Sequence, residues 1–119
     1  MLLVVDGGTV SQEAISRTAE LAAGSPVTVI GVGPGEPVRR AVALAMSVLE
    51  NTGVMAHGHI AVTGSPARTV ARVARARGAR AVVLDQRGGL AAELRRRVYG
   101  SGILVFCATE RGGRWLVPP

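Results

Sequence analysis

At 119 residues the chain has room for one domain, since two cores of half this size would each bury too little surface to hold together. Val, Leu, Ile and Ala make up most of the 48% apolar content, with one Phe, one Trp and one Tyr, which suits buried parallel strands under helices. No apolar run reaches a membrane span: the longest, Ala41 to Leu49, is about half of one. Met1-Leu2-Leu3-Val4-Val5-Asp6 carries no basic leader and meets an acid early, unlike a signal peptide. The one cysteine, Cys107, has no partner for an internal disulfide. A cytoplasmic protein that does not engage membranes is expected.

All 14 basic residues are Arg, against eight acids, for a formal net charge of +6. An anionic partner, nucleic acid or a phosphate-bearing ligand, is one reading of that excess. The other is a GC-rich coding sequence, which raises Arg, Ala, Gly and Val together. The acids are spread through the chain, which favours the second reading, and a nucleic-acid partner is not expected.

Strand and helix alternate along the chain. Met1 to Val5 reads as a buried strand leaving into Asp6-Gly7-Gly8. Ser11 then caps a helix to about Ala23, with Ala14, Ile15, Thr18, Ala19 and Ala22 at core spacing. Val27 to Val32 is a second buried strand, followed by Gly33-Pro34-Gly35 and a helix through Pro37 to Asn51. In Val54 to Val62 the residues alternate, with His57, His59 and Ala61 on one face, as on an edge strand. Ser65 as cap and Pro66 at the first helical position open a third helix that Gly78 closes. Ala79 to Leu84, a short helix Leu90 to Val98, and a last strand Ile103 to Cys107 complete the pattern.

The expected fold is therefore α/β: an open five-stranded parallel sheet with helices on both faces, over residues 1–108, with 109–119 as a C-terminal tail. Ligands of such sheets sit beyond the carboxyl ends of the strands, where strand order reverses. Here those ends carry Asp6-Gly7-Gly8, Gly31 to Gly35, Gly64 and Asp85 to Gly89.

Several segments together resemble the universal stress proteins. "LLVVDGG" with "SQEAISRTAELA" is similar to their first strand, acid and helix, and "VTVIGV" to their second strand. "TGSPARTVARVARARGARAVVLD" is the most specific match, and "LAAELRRRVYGSGILVFCA" resembles their last helix and strand. The resemblance implies the adenine nucleotide α-hydrolase-like fold, commonly a dimer, and in one subgroup an ATP site. The acid of that site falls on Asp6, followed by Gly7, and the residue ending strand two on Val32, followed by Gly33. The family's glycine loop departs here: its first glycine falls on Asp85, and the closing Gly-Ser pair has no equivalent at the family's spacing. Gly88-Gly89 is better read as the helix-opening pair, with most of the loop and its N–H donors deleted. Backbone N–H groups at the start of the following helix remain as an anion site.

The resemblance and the residues lead to a non-catalytic regulatory or binding module with weak or absent ATP binding. The alternative is an adenine-nucleotide sensor using Asp6, Val32 and the Gly88-Gly89 helix start. No metal site is expected, because His57 and His59 have no third ligand nearby in sequence. Cys107 reads as structural. Ile103, Leu104, Val105, Phe106 and Cys107 are expected to form an unpaired sheet edge and the homodimer contact. The apolar tail around Trp115 either packs on its own sheet or docks on a protein partner.

Overall fold

The structure, a computed structural model, describes residues 1–85, 89–109 and 111–116. Its strands are β1 (Leu2–Asp6), β2 (Val27–Val32), β3 (Ala56–Ala61), β4 (Ala81–Asp85), β5 (Leu104–Ala108) and β6 (Arg114–Leu116). The helices are α1 (Gln12–Ala22), α2 (Glu36–Asn51), α3 (Pro66–Ala76) and α4 (Leu90–Arg97). They form one six-stranded sheet in the order β3-β2-β1-β4-β5-β6, parallel throughout except for antiparallel β6.

Period-two alternation divides the strand residues between two cores. Leu2, Val4, Ile30, Val32, Val82, Leu84, Val105 and Cys107 pack with α3 and α4, through Val70, Ala74 and Leu94. Leu3, Val5, Val27, Val29, Val83 and Phe106 pack with α1 and α2, through Ile15, Val42 and Leu49. The helices thus cover both faces. Each fully buried Leu or Val adds about 1.5–3 kcal/mol of transfer free energy. Ser11 caps α1 as its position implies: its Oγ accepts the Ala14 N–H at 3.0 Å. Ser65 does not cap α3 with its side chain. Thr63 Oγ1 instead accepts the Ser65 N–H at 3.0 Å and bonds Thr69 Oγ1 at 3.1 Å.

Two helix–sheet approaches depend on missing side chains. A Cβ at Gly31 would stand 2.6 Å from Val38 Cγ1 and from Val42 Cγ2, and one at Gly58 would stand 2.7 Å from Met46 Sδ. Both glycines bring α2 down onto β2 and β3.

The expectation of five strands is corrected to six. The segment after Ala108 turns back through Gly112 and Gly113, and β6 pairs Val105 with Leu116, Phe106 with Trp115 and Cys107 with Arg114. Gly112 N–H donates to Thr109 O at 2.9 Å, and φ is +111° and +105° at the two glycines, a region that L side chains rarely adopt. Opposite each other, the Phe106 and Trp115 rings stack edge to face with centroids 5.1 Å apart, and the Arg17 guanidinium lies 5.5 Å from the Phe106 centroid. The expectation of an open edge at Ile103–Cys107 is corrected with it. β5 lies inside the sheet, so a dimer through that strand would first have to displace β6.

Candidate functional site

Strand order reverses between β1 and β4: from β1 the chain moves outward to β2 and β3, then crosses to β4 and β5 on the other side. The crevice at the carboxyl ends of β1 and β4 is where sheets of this kind hold ligands. It is flanked by Asp6, ending β1, and Asp85, ending β4. Asp6 is exposed, stands opposite Val32 in register, and makes no side-chain hydrogen bond among the described residues.

The backbone groups behind Asp6 are largely engaged. Gly7 donates its N–H to Val32 O at 3.0 Å, and Gly33 donates its own to Ala61 O at 3.0 Å. The glycines of these turns also have conformational and packing reasons to be glycine. Gly7 and Gly33 sit at φ +75° and +129°, and a Cβ on Gly8 would stand 2.7 Å from Pro37 Cβ. Their small size closes the β1–α1 turn against the start of α2. A glycine-rich sequence at a strand end has here become a packed joint between two turns.

Asp85 is committed too. Its carboxylate accepts both the backbone N–H of Ser11, at 3.2 Å, and the Ser11 hydroxyl. Since Ser11 Oγ also accepts the Ala14 N–H, one hydroxyl links the end of β4 to the first turn of α1. This ties together residues 74 positions apart across the strand reversal. Ser11 is recognisable in the sequence as a cap and Asp85 as a departure from a glycine loop, but no local pattern signals that the two meet.

On the far side of the crevice, Gly89 precedes α4 with φ −87° and ψ −1°, and its carbonyl accepts the Glu93 N–H at 3.2 Å. Neither its backbone conformation nor its described neighbours require a glycine there. Glu93 in the first turn pairs with Arg97 at 3.6 Å, bringing an acid to the helix end that would attract an anion. Gly88 lies outside the described residues.

The other candidates stand apart from the crevice. His57 and His59 are on the edge strand β3, and the described residues contain no cluster of three or more His, Cys, Asp or Glu suited to a metal. Cys107 is buried, which pushes its thiol pKa up; the nearby Arg114 opposes the shift and Asp85 adds to it. Such a thiol is a poor nucleophile at neutral pH. At the opposite, amino-terminal ends of the strands an open groove of about 610 Å³ is lined by Leu2, Thr28, His57, Arg77, Arg80 and Trp115 among others. α1 and α3 both end there, and Arg77, as the C-cap of α3, is a cation at the negative end of a helix dipole.

No helix among the described residues is long and apolar enough to cross a membrane. The chain matches no protein-family model, no curated protein sequence and no solved structure.

Proposed function

We propose that this chain is a small, non-catalytic regulatory module of the universal stress protein kind whose nucleotide crevice has weak or no affinity for ATP. The observation that carries this reading is the Asp85 carboxylate held on Ser11 at the strand reversal. It sets a negative charge in the crevice and turns a would-be phosphate-facing turn into a structural tie. The internal bonds of Val32 O and the Gly33 N–H support the same reading, since they engage backbone groups at the end of β2, the position on which the resemblance places part of the nucleotide site. The described residues of the crevice give catalysis no support: Ser11 serves as a helix cap, and both histidines lie on β3, two strands from β1.

Two observations favour the adenine-nucleotide sensor instead: among the described residues, Asp6 is exposed without a hydrogen bond and nothing stands within 4 Å of a Cβ built on Gly89. A thermal-shift titration separates the readings. A ligand at a hundred times its Kd stabilises the native state by about 2.7 kcal/mol. The proposal expects at most a marginal shift with millimolar ATP, ADP or AMP. A clear upward shift that Asp6→Ala abolishes would establish the sensor.

A further inference from the structure

The outer edge of β3 is the open side of the sheet among the described residues, and its surroundings fit a second copy of this chain. The opposite end of the sheet is closed by β6, a three-residue strand carrying Arg114, a short and charged edge of the kind that resists pairing. β3 has six residues and no Pro, Arg or acid among them, and its Ile60 and the following Val62 are exposed. Such an edge presents unpaired N–H and C=O groups to another strand.

The helix next to that edge supplies the specificity. Met46 of α2 packs at Gly58 of β3, so the α2 stripe Arg39, Ala43, Met46 and Glu50, at helical spacings of four, three and four, runs alongside β3. Arg39 and Glu50 are both exposed, and neither joins an ion pair among the described residues. At 1.5 Å rise per residue they lie about 8 Å to either side of the level at which Val42 and Met46 flank Gly58.

We infer that two copies pair antiparallel through β3 about a two-fold axis at Gly58, doubling the sheet. This axis brings Arg39 of each copy level with Glu50 of the other, so the unpaired charges complement each other twice. With strands about 4.8 Å apart and α2 lying over β2 and β3, the two α2 helices come about 10 Å apart, a normal packing distance, with Ala43 leaving room between them. The same register sets Ile60 opposite Ala56 and Val62 opposite Val54, apolar pairs on the α2 side. The sheet edge is self-complementary, as a two-fold interface must be.

The test is oligomeric state by sedimentation from 5 to 100 μM, with Arg39→Glu, Arg39→Glu/Glu50→Arg and Ala43→Cys alongside the parent chain. The expected result is a dimer whose Kd rises at least tenfold in Arg39→Glu and recovers in the double charge reversal. Ala43→Cys should cross-link into a disulfide dimer on mild oxidation, whereas the parent, whose Cys107 is buried, should not. Circular dichroism confirms that each variant is folded. A monomer at 100 μM overturns the inference. So does a dimer indifferent to Arg39→Glu, a double reversal that fails to restore association, or an Ala43→Cys chain that stays uncrosslinked.

Discussion

Replacing Gly113 with Ala should release β6 from the sheet while leaving the rest of the domain folded. Gly113 sits at φ +105°, outside the region that alanine adopts, and a Cβ there would meet the Cys107 carbonyl oxygen, with Phe106 Cε1 at 2.7 Å and Ala108 Cα at 2.8 Å. Two of those neighbours are backbone of a buried strand and have little room to give. Backbone strain of this kind costs about 1–3 kcal/mol before the clash is counted. On the other side stand the contacts that hold β6. The Phe106–Trp115 stack is worth about 0.5–1.5 kcal/mol and each cross-strand pair about 0.2–1 kcal/mol, so the strain and clash together match or exceed them. The cheaper response is for the hairpin to open, which caps the global loss at the docking energy of β6, on the order of 2 kcal/mol, or about 6–10 °C in Tm for a chain of this size. Trp115 is the only tryptophan and is 42% exposed when docked, so its fluorescence reports on the hairpin alone. Gly113→Ala should red-shift its emission and increase acrylamide quenching at temperatures where the far-UV circular dichroism is unchanged. The uncovered β5 edge should also make the variant self-associate. Emission, quenching and stability identical to the parent's would refute the packing argument.

Gly31→Ala should destabilise by about 1–2 kcal/mol: crowding Val38 and Val42 costs about 1–3 kcal/mol and the stiffer unfolded chain returns about 0.4–1 kcal/mol, so urea denaturation should show a lower midpoint at unchanged slope. An unchanged midpoint would show that α2 yields freely. Asp85→Ala removes a charge-assisted acceptor from Ser11 at a half-buried position, with an expected loss of about 1–2 kcal/mol and weakened hydrogen-exchange protection in the first turn of α1. Because burial raises the Cys107 pKa in the folded state, its contribution is full below the unfolded thiol pKa and is lost as pH rises through the folded one. The stability of the parent relative to Cys107→Ala should therefore decline on the alkaline side, and the native thiol should react slowly with Ellman's reagent.

How far the sequence reveals this molecule depends on the range of each interaction. α1 is readable because Ser11, the spacing of Ala14, Ile15, Thr18 and Ala22, and the glycine after Ala23 are all local signals. The edge position of β3 is readable for the same reason: alternating His57 and His59 can be tolerated only on a half-covered strand, and the sheet order places it there. β6 is not readable. Three residues have no periodicity, and Arg111-Gly112-Gly113-Arg114 looks like a tail until the glycines are seen turning Trp115 onto Phe106. The same holds for the crevice. Asp6, Val32 and Gly33 come together as the strand pattern implies, but the bond from Gly7 to Val32 O is a contact between separate turns. The tie from Asp85 to Ser11 spans most of the chain, and no local pattern encodes it.

Nucleotide release from the purified protein tests the central claim most directly: denature a known amount of chain and quantify adenine nucleotides by mass. The account predicts an empty protein, because Asp85 is tied to Ser11 and the backbone groups beside Asp6 are engaged within the fold. Close to one equivalent of adenine nucleotide per chain would contradict it and make the crevice at Asp6 a working nucleotide site.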